Sequence, residues 1–264
     1  QNAPQVQRDQ EISSRARVLD QVREIVEHEW LWLVFQPVAS MRGDTNERYE
    51  ALLRLRDRQG QDLVPGSVFG VVYNHELGLA LDRWVIAHAL EMLQQRQQAT
   101  TLFIKVLPVT LQDKTLSAWL REQLEQNHVE AQRLVFEVAE STAERSLRDM
   151  FAFLSGIKLL GCGFCLDRFG RGADSLNLLK NLGADYVKLD IHFVNNLAKD
   201  SKKQAQLKEL VQSLESLGAA TIVGGVEDVQ TMPILWSLGV DLIQGFFLQH
   251  PYREMSYDFA GGAF

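Results

Sequence analysis

Cysteine is scarce, with two residues in 264, so no disulfide framework holds this chain together and a reducing compartment is expected. Long apolar runs are missing too. The longest, such as Leu31 to Phe35 and Gly245 to Leu248, fall far short of the ~18 residues of a membrane span, so no membrane partner is expected. Nor is there an excess of positive charge: 27 basic against 34 acidic residues leave a net charge of −7, which excludes bulk nucleic-acid binding and confines any anion site to a local pocket. The N-terminus, polar from Gln1 to Gln10, lacks the apolar centre of a signal peptide, and a cytoplasmic location is expected. The first residue is Gln rather than Met, from which we expect a piece of a longer protein. What is present is the composition of an ordinary globular domain, 46% hydrophobic and 23% charged. The length allows one large α/β barrel or two small domains.

Between residues 11 and 29, Val18, Leu19, Val22, Ile25 and Val26 recur at helical spacing, giving an amphipathic helix ahead of the main domain. Residues 1–29 are read as a helical linker from an upstream domain or a helix packed on the domain's own flank, and residues 30–264 as the barrel domain. Eight short apolar runs read as strands: Leu31–Val38, Tyr49–Arg56, Leu102–Leu107, Leu134–Val138, Phe164–Asp167, Tyr186–Leu189, Thr221–Gly224 and Asp241–Ile243. Helical stretches separate the later ones. Ser141 and Glu144 form a capping-box pattern, and Leu207, Leu210, Val211, Leu214 and Leu217 line a helix face closed by Gly218. Strands alternating with helices predict an α/β fold, a (β/α)8 TIM-like barrel. Its first two strands are separated only by Ala39 to Arg48, too short for a crossover helix, so they should form an antiparallel hairpin.

Such barrels place their sites at the C-terminal ends of the strands, and there the polar residues of this chain collect: Glu137, Asp167, Lys188 with Asp190, Glu227 and Gln244. One strand-end charge means little, but several converging ones define a pocket. Phe35-Gln36-Pro37, Glu50-Ala51-Leu52-Leu53-Arg54, Phe136-Glu137-Val138-Ala139-Glu140-Ser141, Leu166-Asp167-Arg168-Phe169-Gly170, Val187-Lys188-Leu189-Asp190, Gly225-Val226-Glu227 and Gln244-Gly245-Phe246 follow in order. Together, over about residues 30 to 255, they resemble an EAL domain. The resemblance implies a cytoplasmic bacterial setting and cyclic di-GMP as ligand. In active members two Mg2+ or Mn2+ ions hydrolyse it to linear pGpG.

The resemblance implies a set of metal-site carboxylates, of which Glu50, Glu137, Asp167 and Asp190 match, together with Lys188. Three positions differ: Lys105 stands where an Asn is expected, Arg168 where a second Asp is, and Gly224 where a water-activating Glu is. These replacements remove about as much negative charge as two divalent ions carry positive, and a cation ~4 Å from a dication opposes its binding. The expectation is a degenerate EAL domain that is not an enzyme, with no catalytic residue, no bound metal (the four carboxylates being vestigial ligands) and no cofactor.

Ligand binding can outlast that loss. Arg54 is suited to a phosphodiester through its bidentate guanidinium, with Lys188 as a second candidate. Gln36, Gln244, Asp82 and Glu227 offer groups for guanine edges, and Leu52, Phe246 and Pro251 an apolar floor. The family pattern also brings Glu50 and Gly225 into the binding set and assigns Asp82 and Glu227 their place, whereas spacing alone would not find Asp82. Glu140 resembles a residue that braces the loop after the fifth strand, and the altered run from Gly170 to Ser175 puts the family's usual dimer in doubt. Cys162 and Cys165 run into a strand, where a spacing of three puts them on opposite faces, and no second cysteine pair exists to complete a zinc shell, so neither a zinc nor a redox site is expected there. His28, His75, His88 and His128 read as helix-surface or core residues, and His192 and His250 lie near the expected pocket rim.

The resemblance is strongest to degenerate EAL receptors in regulators of type IV pili and twitching motility. It implies a degenerate GGDEF domain upstream and a PilZ-domain adaptor as partner. The alternatives are a weak phosphodiesterase with one metal held by Glu50, Glu137 and Asp167, and a protein-interaction module that has lost the nucleotide.

Overall fold

The computed structural model describes residues 3–261, with side chains from residue 13 onward. Gln1 and Asn2, at the polar N-terminus noted above, lie outside the described residues. Helix α1, Ala3–Glu27, starts earlier than the apolar periodicity indicates, since its first turns carry mainly polar residues. Val22 and Ile25 are fully buried in the main core, so the end of this helix packs on the domain's flank. None of the described helices is long and apolar enough to cross a membrane.

The strands in chain order are β1 (Leu31–Pro37), β2 (Ala39–Ser40), β3 (Arg48–Arg56), β4 (Asp62–Leu63), β5 (Thr101–Lys105), β6 (Leu134–Ala139), β7 (Gly163–Phe169), β8 (Tyr186–Leu189), β9 (Ala220–Val223) and β10 (Leu242–Ile243). They form one sheet in the order β1-β3-β5-β6-β7-β8-β9-β10-β2, with β4 added beside β3. From β3 to β10 neighbouring strands on this path run parallel. The expected hairpin is present: β1 pairs antiparallel with β3, placing Gln36 opposite Glu50 and Trp32 opposite Arg54.

Closure of the barrel depends on the chain around Pro37. Up to that residue the strand pairs with β3; just beyond it, Ala39 and Ser40 pair with Ile243 and Leu242 of β10. Proline has no N–H to donate, so it suits the point where a strand leaves one partner for another. Sequence periodicity missed β2 and β4, each two residues long. Between β4 and β5 lie α2 (Pro65–Val72) and α3 (Glu76–Gln94), the first opened by Pro65 in its first turn. After β5 come α4 (Pro108–Leu111) and α5 (Leu116–Gln126); α6 (Glu140–Arg145) and α7 (Leu147–Leu160) follow β6, and α8 (Ser175–Leu182), α9 (Ser201–Ser216) and α10 (Thr231–Ser237) complete the ring.

One layer of the barrel interior is apolar, made of Val38, Phe103, Val135, Cys165, Ile222 and Leu242, with Tyr186 against it. Side chains on a strand return to the same face every second residue. The next inward positions, two residues on toward the C-terminal mouth, are therefore Lys105, Glu137, Asp167, Lys188, Gly224 and Gln244; on the antiparallel β1 the same step runs backward, from Val38 to Gln36. The apolar layer thus carries a polar layer above it. Cys165 belongs to the apolar layer and Cys162 to the outer core; both thiols are free, and burial pushes Cys162 up to about 12.

Gly245, directly after the Gln244 position, lies where chain meets chain: a Cβ there would stand 2.0 Å from the Val226 carbonyl oxygen. Gly245→Ala should destabilise the fold by about 1–3 kcal/mol, read from urea unfolding, because backbone must move to admit the methyl group.

Candidate functional site

The polar layer is a network of buried ions. The Lys188 Nζ lies 3.0 Å from Glu50 Oε2 and 2.6 Å from Glu137 Oε1. The Lys105 Nζ lies 2.9 Å from Asp167 Oδ2, 3.7 Å from Glu50 Oε1 and 3.9 Å from Glu137 Oε2. Gln244 Nε2 donates to Glu50 Oε2 at 2.6 Å and to Gln36 Oε1 at 3.1 Å, and Gln36 donates in turn to the Gln249 carbonyl. Lys188 is buried, whereas the Lys105 side chain is 45% exposed and reaches the carboxylates from the solvent side. Neither Glu137 oxygen makes a well-directed hydrogen bond; ionic contact alone holds this fully buried carboxylate.

Burial works against ionisation of Glu50, but Lys188, Lys105 and the Gln244 amide together hold it below the usual carboxylate range. Glu137 goes the other way. Burial, reinforced by repulsion from Glu50 and offset only in part by the two lysines, pushes it up to about 7. Both ammonium groups are held above the usual lysine range by the surrounding carboxylates, which outweigh their own desolvation.

Two clefts open at the strand ends around this layer, of about 590 and 510 Å³. The smaller is lined by Glu50, Leu52, Arg54, Asp82, Lys105, Asp167 and Arg168. The larger is lined by Glu140, Arg168, Arg171, Lys188, Asp190, Gly224 and Gly225. The structure therefore brings together Gln36, Glu50, Lys188 and Gln244 in one network, and Leu52, Arg54 and Asp82 in one cleft beside it. Glu227, Phe246 and Pro251 are not among the lining residues of either cleft. Phe246 is half-exposed, outside both clefts, and stacks on His250 with ring centroids 4.2 Å apart. Asp82 is buried and engaged: its Oδ2 accepts from the Leu107 N–H at 2.7 Å and from the Thr110 hydroxyl, tying α3 to the start of α4. Burial, opposed by these hydrogen bonds, pushes Asp82 up to about 7.

Two metal-site expectations are also corrected. Asp190 stands apart from the other carboxylates, accepting from the His192 backbone, with Arg171 Nε at 3.1 Å and the His192 ring at 2.9 Å. Arg168 makes no ion pair with Glu50, Glu137 or Asp167; it is exposed at the rim, with φ of 54°. Only Lys105, of the three replacements, enters the carboxylate cluster, and at Gly224 a Cβ would meet nothing within 4 Å. Among the described residues, no three or more His, Cys, Asp or Glu side chains are grouped to hold a metal ion. With ammonium groups between them, the carboxylates do not fit the two divalent ions that the resemblance implies.

Glu140 Oε2 accepts from the N–H groups of Gly170, Arg171 and Gly172 at 3.0, 3.0 and 3.1 Å, bracing the loop after β7. Sequence reasoning missed the contribution of α2. Gly66, Phe69, Gly70 and, just beyond the helix, Tyr73 line the smaller cleft, and a Cβ on either glycine would meet nothing within 4 Å. The signal was Pro65 followed by two glycines one helical turn apart, which clears space on one face.

A barrel of parallel strands with a polar layer and twin clefts at its C-terminal mouth defines a ligand-binding TIM-like domain. Residues 19–251 match the EAL domain, and the chain belongs to that family. It is similar to the FimX EAL domain from Pseudomonas aeruginosa bound to c-di-GMP, with a TM-score of 0.87 and 34% identity over 92% of this chain and 99% of that one. The Xanthomonas citri FimX EAL domain in complex with c-diGMP gives 0.86 and 30% identity, covering 95% and 99% of the two chains. Among curated proteins, cyclic di-GMP phosphodiesterase PdeF of Escherichia coli is 27% identical over 91% of this chain and 32% of its own length. The bifunctional diguanylate cyclase/cyclic di-GMP phosphodiesterase MucR of P. aeruginosa is 30% identical over 89% and 35%. The chain spans about a third of the length of these curated relatives.

These relatives correct the expectation that the chain is not an enzyme. Proteins named as phosphodiesterases align with nearly all of it, and the exclusion leaned on Arg168 as an intruder among the carboxylates, where the structure does not place it.

Two predictions concern the ion network. Lys188→Met strands Glu50 and Glu137 without their shared cation and should cost about 3–5 kcal/mol in urea unfolding. The second uses Glu137, whose value in the fold, about 7, lies above its ordinary 4.5. Folding then favours the protonated carboxyl; its stabilisation is complete at acid pH and is lost as pH rises through about 7. Glu137→Gln does not titrate, so the melting temperature of the variant minus that of the wild type should rise between pH 5 and pH 8. A flat difference would contradict the assignment.

Proposed function

We propose that this EAL domain is a cyclic di-GMP receptor that takes the nucleotide at the barrel mouth without requiring a divalent ion. One observation carries the reading: Lys105 and Lys188 occupy the cation positions among Glu50, Glu137 and Asp167, so the carboxylate repulsion that would meet an anionic ligand is already neutralised. Arg54, in the adjoining cleft, donates only to the neighbouring Leu53 carbonyl and is available for a phosphodiester. Leu52, Asp82 and Gly225 line the clefts beside it, and Gln36, Glu50 and Gln244 form the hydrogen-bonded floor. Glu227, Phe246 and Pro251 join the ligand only at the outer rim.

The similarity to FimX EAL domains that bind c-di-GMP supports this reading. The proposal extends, on the resemblance of the altered motifs alone, to a cytoplasmic signalling protein that regulates type IV pili and twitching, with a degenerate GGDEF domain upstream and a PilZ-domain adaptor as partner. A second reading, hydrolysis in addition to binding, is favoured by the relatives named as phosphodiesterases.

Isothermal titration with cyclic di-GMP in excess EDTA should show micromolar or tighter binding by the wild type and at least about tenfold weaker binding by Arg54→Ala. Absence of wild-type binding in EDTA would sink the metal-free reading. Chromatography of the same samples in manganese buffer separates the two readings by whether linear pGpG accumulates.

A further inference from the structure

Five cationic side chains line the two clefts: Arg54, Lys105, Arg168, Arg171 and Lys188. Three of them are already neutralised. Lys105 is held by Asp167, Lys188 by Glu50 and Glu137, and Arg171 by Asp190. Among the described residues, no carboxylate forms an ion pair with Arg54 or Arg168; Asp62 and Glu50 act on Arg54 only from beyond ion-pair distance, so two guanidinium groups at the mouth are left without a contacting carboxylate. The proposed ligand has two phosphodiester groups.

The backbone sets Arg168 in that position. The β7–β8 pairing shifts register between Leu166 and Phe169, and of the two residues within the irregularity, Asp167 and Arg168, the second is left-handed at φ of 54°. A bulge of this kind re-aims side chains at the rim of a sheet. Asp167 turns inward to Lys105 and Arg168 turns out to the mouth, where it lines both clefts; of the charged residues around them, it alone is shared. A long, non-glycine residue in the left-handed region is strained, and such strain persists where the surroundings hold it in place. Nothing in the packing asks for arginine there: the side chain is exposed and has no hydrogen-bond or ion-pair partner among the described residues.

We propose that Arg168 is a phosphate-binding residue, the second of a guanidinium pair with Arg54, and that it holds the part of the dinucleotide that passes between the two clefts. This rests on the reading of the domain as a cyclic di-GMP receptor. It assigns a binding role to a position whose charge would otherwise be read only as a lost metal ligand. The two arginines then divide the work: Arg54 meets one phosphodiester inside the smaller cleft, and Arg168 meets the other at the divide.

Arg168→Gly gives a test in which stability and binding are expected to part. Glycine adopts the left-handed conformation freely, so the variant should melt at or above the wild-type temperature. Its affinity for cyclic di-GMP, titrated in EDTA, should fall about tenfold or more, with a shallower dependence on salt. Arg168→Lys keeps the charge but loses the fork and should fall between the two. Wild-type binding with an unchanged affinity and salt slope in Arg168→Gly would overturn the proposal while leaving the receptor reading intact. Failure of the wild type to bind at all would instead overturn the receptor reading on which it rests.

Discussion

The contact on which the mouth of this barrel depends is the ammonium of Lys188 set between Glu50 and Glu137. The three side chains come from β8, β3 and β6, strands that are not neighbours in the sheet, so the contact spans the barrel interior rather than running along its wall. Each ion is buried and each would be prohibitive alone. Together with Lys105, Asp167 and the Gln244–Gln36 amides they make a layer in which charge is nearly balanced and the remaining imbalance falls on Glu137. A hydrophobic layer of the same size would fill the barrel equally well, as the one beneath it does. The polar layer therefore adds little to stability that apolar side chains could not, and its presence is explained by what it offers at the mouth.

How far the sequence reaches this arrangement can be followed residue by residue. The barrel was legible because its strands are short apolar runs bounded by turns, and the hairpin because ten residues cannot cross a sheet. Glu137, Asp167, Lys188 and Gln244 were legible because each stands at or just beyond the end of an apolar run, where such barrels place their sites; that alternation also puts each two residues beyond an apolar interior position emerges only from the structure. Partnership was not legible. That Lys105 would reach Asp167, or that Asp190 would turn to Arg171 and His192, depends on side-chain direction across strands far apart in sequence.

The largest departure was Arg168, and its cause is local. A regular strand would have placed positions 167 and 168 on opposite faces in register; the register shift before Phe169 and the left-handed backbone turn Arg168 up to the rim instead. No residue near it carries a turn signal strong enough to announce this in advance, since the glycine that follows, Gly170, is equally compatible with a plain strand end. Reading position 168 as a charge inserted among metal-site carboxylates treated a side chain's identity as if it settled its position. The same step from identity to activity lay behind excluding hydrolysis.

The balance within the polar layer also accounts for how an acidic protein could present the proposed site for an anion. At a net charge of −7 the long-range field repels a doubly negative ligand, and at physiological ionic strength that field decays within about 8 Å. Capture must then depend on groups the ligand touches. Were the three carboxylates of the layer unpaired, their field would act at that range and oppose binding from directly below. Pairing them with two lysines removes most of this repulsion without presenting the ammonium groups as free cations, which would attract any phosphate without regard to shape. What remains accessible is guanidinium, whose planar fork is selective for the geometry of a phosphodiester. In the proposed receptor the buried ion network supplies neutrality and the two arginines, Arg54 half-buried and Arg168 exposed, supply direction, and neither would serve the ligand without the other.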